Sequence, residues 1–237
     1  MELFQTTHLH VDGQNLAIRN IEQLHPQRIT VHRVTLEPKS NFGTLIIKQQ
    51  KDGWNNEFEA EKEAYQRLSS LQGDVIPSLL GECRFNGHPA LILSDVGGAT
   101  LHQIARSDFK VSDEVLRASL ETALKTLYRH GAEYWDQKLD NFIFSDGKVV
   151  IVDLEQIQFR EDPGQWEEHV NFGGIGSLME YFRSARNPHR VQSPVLIPLP
   201  PPRPKKHIQI WEIWELDRTS EMSVVDISPS LPTSGSL

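Results

Sequence analysis

The sequence holds a single cysteine, Cys83, among 237 residues. No internal disulfide can form, which fits a reducing compartment. It also lacks basic clusters. The net charge is -8, and a face that binds nucleic acid needs grouped Lys and Arg, so nucleic acid is excluded as the main partner. The same acidic balance disfavours an anionic membrane surface. No apolar run approaches the roughly 20 residues that cross a bilayer. The opening stretch, MELFQTTHLHVDGQN, has neither the basic nor the apolar region of a secretory signal. These absences predict an intracellular protein, cytoplasmic or nuclear, with no membrane partner. The ten histidines are scattered, and His8 and His10 have no Cys or Glu close by in sequence, which argues against zinc.

Hydrophobic residues make up 38% of the chain and charged residues 24%. That is enough for a packed core over part of the length. Residues 1–30 are ambiguous, since LAIRNIEQL suits helix or strand. ITVHRVTLE and GTLIIKQ then read as a strand pair around Pro38–Asn41. NNEFEAEKEAYQRLSSL reads as a helix capped by Asn55 or Asn56 and stopped by Gly73. Phe58, Glu61, Tyr65, Leu68 and Gln72 share one face of it, with Glu61 an acid in the apolar line. IPSLLGECRF and HPALILSD are two further strands around Asn86-Gly87, followed by a Gly97-Gly98 joint. DEVLRASLETALKTLYRHG is a second helix. FIFSDGKVVIVD is a hairpin on Asp146-Gly147. A third helix falls near WEEHVNFGGIGSLMEYFRSA, interrupted at Gly173-Gly174.

Four polar positions stand out along this order. Asp136-Gln137-Lys138-Leu139-Asp140-Asn141 follows the second helix, and Asp153 ends the hairpin. Hard oxygen donors around a hairpin suit Mg²⁺. Lys48 closes a strand, and an inward-pointing Lys needs a partner such as Glu61.

These residues resemble the protein-kinase-like superfamily, in particular short fungal-type kinase-like and aminoglycoside-phosphotransferase-like proteins. Asp136–Asn141 is similar to the catalytic loop of serine/threonine kinases, and Asp153-Leu154-Glu155 stands where Asp-Phe-Gly would stand. Leu-Ile-Ile-Lys48 resembles the strand bearing the phosphate lysine, and Glu61 the helix glutamate that pairs with it. Leu93–Gly98 is similar to the hinge that holds adenine. The resemblance covers roughly residues 30–185. It implies an α+β, bilobal fold: a β-rich lobe over 1–95, a short mainly helical lobe over 96–185, and a proline-rich tail over 186–237. It implies ATP and Mg²⁺ as cofactors and phosphoryl transfer to a hydroxyl acceptor, protein or small molecule. Asp136 and Lys138 would be catalytic. Lys48, Glu61, Ser94, Asp95 and Val96 would serve the nucleotide, and Asn141 and Asp153 the metal.

The sequence departs from that pattern in several places. No Gly-x-Gly-x-x-Gly precedes Lys48, Tyr134-Trp135 replaces His-Arg, Glu155 replaces a glycine, and no Ala-Pro-Glu follows. A pseudokinase scaffold without catalysis and a small-molecule kinase are therefore the alternatives. In the tail, Pro198–Arg203 matches Pro-x-x-Pro-x-Arg, a pattern for an SH3-type partner.

Overall fold

The computed structural model describes residues 8–11, 14–24, 29–38, 43–160 and 168–188. All of them belong to one compact unit, Met1–Val195. The Pro198–Arg203 motif lies outside the described residues.

The dominant feature is a six-stranded antiparallel sheet. Its strands are β1 (His8–Val11), β2 (Gln14–Gln23), β3 (Val31–Leu36), β4 (Thr44–Gln49), β5 (Leu79–Phe85) and β6 (His88–Ser94). They lie in the order β1-β2-β3-β4-β6-β5. β1 comes round to touch β5, so the sheet is barrel-like and nearly closed. Alternation explains its two faces. Val34 and Leu36, Leu45 and Ile47, and Ala90 and Ile92 are spaced by two and form one buried cluster with Leu9, Val11, Leu16 and Phe85. Leu91 and Leu93 point the other way and join a second cluster that includes Phe58 and Tyr65. Two tight turns, Asn86-Gly87 (φ 50° and 85°) and Asp146-Gly147 (φ 51° and 81°), have the paired positive φ values that two-residue hairpins require.

Helix α1 (Asn55–Arg67) buries Phe58, Glu61, Ala64 and Tyr65. Trp54 precedes it without a side-chain cap, so neither Asn55 nor Asn56 caps the helix. It ends six residues before Gly73, in a 3₁₀ turn over Ser69–Leu71. Beyond the large sheet come β7 (Ala99–Thr100), α2 (Leu101–Ala105), α3 (Asp113–Arg129) and β8 (Ala132–Tyr134). These are followed by β9 (Phe142–Ser145), β10 (Lys148–Ile151), β11 (Ile157–Phe159) and α4 (Glu168–Arg186). β10-β9-β7 and β11-β8 form two small sheets. Thr100 and Gln103 make a reciprocal capping box on α2, and Ser112 caps α3 by accepting from Val115 N.

This architecture corrects the fold read from the sequence. The chain is not a bilobal kinase-like fold with a mainly helical second lobe. It is mostly a barrel-like antiparallel sheet with few helices. The difference begins in residues 8–11 and 14–23, whose mixed pattern assigns neither helix nor strand. They form β1 and β2 and carry the sheet round toward closure. It continues in β7, β8 and β11, strands of two or three residues, too short to show a period. Gly173-Gly174 does not interrupt α4 either. A Cβ on Gly174 would overlap the Gln137 side chain, so the missing side chain admits a neighbour rather than breaking the helix.

Candidate functional site

The site begins with β4. Its register pairs Ile46 with Leu93, Ile47 with Ile92 and Lys48 with Leu91. Ile47 faces the barrel interior, so Ile46 and Lys48 face the other way, two residues and therefore about 6–7 Å apart along the strand. That face opens on a cleft of about 1120 Å³, lined by Val31, Ile46, Leu93, Ile143 and Val152 among apolar side chains and by Lys48, Asp136 and Asp153 among charged ones. It is large enough for a nucleotide.

Lys48 is 6% exposed and Glu61 fully buried. The Lys48 ammonium lies 2.7 Å from Glu61 Oε2, 2.8 Å from Asp153 Oδ1 and 3.1 Å from Glu155 Oε1. Burial opposes its charge, but the three carboxylates outweigh burial and hold its pKa well above the usual lysine value. Glu61 moves up as well, because burial and the nearby Asp153 and Glu155 charges outweigh the pull of Lys48. Three acids crowd one ammonium, and the most buried acid bears the strain. Its other oxygen, Oε1, accepts from Leu154 N at 3.2 Å.

That bond helps to hold an uncommon backbone. Asp153 has φ 67°, a left-handed conformation that a non-glycine residue keeps only when its surroundings impose it. The buried Tyr134 hydroxyl donates toward Val152 O (3.1 Å) and Asp153 O (3.3 Å), and Val152 N donates to Asn141 O (2.9 Å). Tyr134, which stands where the resemblance would place a histidine, thus fixes the segment carrying Asp153.

Asp136 lines the same cleft. Lys138 Nζ lies 2.8 Å from its Oδ1, and Asn141 Nδ2 donates to its Oδ2 (3.0 Å) and its main-chain O (2.9 Å). Asn141 is fully buried and does not line the cleft, so in this geometry it anchors Asp136 from behind. The oxygen donors on the cleft wall nearest Lys48 are those of Asp153 and Glu155. With Glu61 they offer carboxylate oxygens all within 4.8 Å of one another. Carboxylate oxygens at a cleft wall suit Mg²⁺, which takes one or two of them and completes its shell with water and phosphate.

Ser94, Asp95 and Val96 also line the cleft. Ser94 Oγ accepts from Ser78 N at 2.9 Å, and Val96 O accepts from Ser145 Oγ at 3.0 Å. Asp95 receives Arg33 through both oxygens, at 2.7 and 3.3 Å, and also Gly97 N at 3.1 Å. Asp95 is thereby a structural clamp at the cleft edge.

Lys51, Arg33 and Asn171 belong to none of the motifs legible in the sequence. Asn171 is fully buried on α4. It accepts from Tyr134 N (2.9 Å) and donates to Leu124 O (3.0 Å) and Ala132 O (2.9 Å). Its signal was present: it stands in line with Ile175, Leu178 and Phe182, a polar residue in an apolar stripe, as Glu61 is in α1. No family model and no curated protein matches this chain.

Proposed function

We propose that the protein is an ATP- and Mg²⁺-dependent phosphotransferase that carries a phosphoryl group to a hydroxyl acceptor. The reading rests on the site, since a fold alone does not specify an activity. One observation carries it: a buried lysine held by Glu61 and Asp153 faces the same nucleotide-sized cleft as a fixed Asp136. Phosphoryl transfer asks chiefly for positioning and charge neutralisation, and this is what these side chains supply. Ile46 and Leu93 give an apolar wall for a base. Lys48, farther along the strand, meets phosphate oxygens. Asp153 would hold Mg²⁺, which when bound neutralises phosphate charge. Asp136 receives or orients the acceptor hydroxyl, Lys138 offsets charge on the transferred group, and Asn141 positions Asp136.

The second reading is a nucleotide-binding protein without transfer. The engagement of the Asp136 carboxylate by both Lys138 and Asn141 favours it. ADP release from Mg·ATP, measured with alcohol and peptide-hydroxyl acceptors, separates the two. On the transferase reading, Asp136→Asn lowers turnover by about a hundredfold or more and leaves ATP binding in place. Turnover unchanged in Asp136→Asn would contradict the assignment. Binding with no turnover for any acceptor would favour the second reading.

A further inference from the structure

Lys51 lies two residues beyond β4, on a turn closed by Trp54 N donating to Lys51 O at 3.0 Å. Its ammonium is 3.0 Å from Glu155 Oε1 and 2.9 Å from Oε2. Lys48 reaches the same Oε1 at 3.1 Å. A single carboxylate oxygen therefore bridges two ammonium groups. Both lysines and Glu155 line the cleft. Lys48 already has two closer carboxylates, in Glu61 and Asp153, so the third is surplus to its neutralisation. Among the described residues Glu155 is the one carboxylate paired with Lys51, whose ammonium also lies 4.5 Å from the centroid of the Trp54 ring.

We propose that Lys48 and Lys51 form a two-cation seat for the phosphates of a nucleoside di- or triphosphate, and that Glu155 is a built-in counter-ion competing for that seat. The inference rests on the nucleotide reading of the cleft and adds a residue and a form of control to it. A polyphosphate brings several oxygens and more negative charge than one carboxylate. It can therefore bridge the same two ammonium groups with more charge-assisted bonds than Glu155 makes. Glu155 thereby sets the threshold for binding: a weak monoanion does not displace it, and a polyphosphate does. Lys51 is the exposed member of the pair, its side chain 36% accessible against 8% for Lys48. It can follow a ligand while Lys48 stays fixed.

The test is calorimetric titration of the full chain with inorganic tripolyphosphate in the absence of Mg²⁺, with folding checked by melting. The variants are Lys51→Met, Glu155→Gln, the double variant and Lys48→Met. Lys51→Met should weaken binding about tenfold, and Glu155→Gln should tighten it by a similar factor. The gain from Glu155→Gln should shrink in the Lys51→Met background, because the two residues compete over one ligand. Affinity unchanged in Lys51→Met, or no tighter in Glu155→Gln, overturns the seat. Lys51 is exposed enough that its variant decides the matter even where Glu155→Gln folds poorly. If the seat fails while Lys48→Met still abolishes binding by the parent, the nucleotide reading stands and only this inference falls. If neither parent nor Glu155→Gln binds tripolyphosphate or Mg·ATP, both fall.

Discussion

Lys48 meets three carboxylates, and burial decides what its loss would cost. Replacing it by Met leaves buried Glu61 and the partly buried Asp153 and Glu155 facing one another without their shared cation. Removing one partner of a buried pair costs about 3–5 kcal/mol. Lys48→Met should therefore lower unfolding free energy by about that much in urea titration, and adding Glu61→Gln should recover part of the loss. Arg117→Ala is the control. Arg117 pairs with Glu121 at 3.0 Å, but both side chains are about half exposed, and such pairs contribute under about 0.5 kcal/mol. Equal costs for the two substitutions would contradict the burial argument.

Among the elements, α4 has the least obvious role and a testable one. Through Asn171 it satisfies the main chain of α3 and β8 at three points, and the Gln137 amide donates to Asn171 O at 3.3 Å. The helix is thus tied to the loop that presents Asp136. Asn171→Ala strands a buried amide and two carbonyls, and should cost about 2–4 kcal/mol. It should also loosen the 134–141 segment, read as faster amide exchange there than in β4 and β6. Uniform exchange throughout the molecule would count against the tie. These elements were unevenly legible. α1, α3, β3 to β6 and the β9–β10 turn could be read because each shows a clear period or a paired turn signal. β2 could not, because its exposed positions mix charge and amide with few buried apolar residues, and β1 holds only four residues. β7, β8 and β11 hold only two or three residues each. Lys48 and Glu61 could be marked because each breaks an apolar pattern. Lys51 could not, since it lies past a strand end where any lysine looks solvated.

For the whole molecule, the buried ionisable groups set a common alkaline limit. The hydroxyls of Tyr65 and Tyr134 are raised well above the ordinary 10.0, chiefly by burial. Lys48 is raised well above 10.5. In each case the unfolded chain loses its proton first as pH rises, so it binds fewer protons than the folded state and stability falls. The contribution of Lys48 is fully present below 10.5 and is lost as pH climbs through its higher folded value. Melting temperature should drop steeply above about pH 10. Tyr65→Phe should blunt that drop. At neutral pH it should leave stability unchanged or raise it by up to about 1 kcal/mol, since the Tyr65 hydroxyl is buried without a hydrogen-bond partner among the described residues. A Tyr65→Phe profile superimposable on the parent's would argue against this account. At the same scale, no described helix is long and apolar enough to cross a membrane.

On the proposed reading, the cleft beside Lys48 takes a metal–nucleotide complex through Asp153. The most direct test is the melting temperature of the parent and of Asp153→Ala with ATP, with and without Mg²⁺, because a ligand that binds only the folded state must raise it. The expected result is a rise in the parent that needs Mg²⁺ and disappears in Asp153→Ala. No rise at millimolar ATP in a folded parent, or the same rise in both proteins, would contradict it.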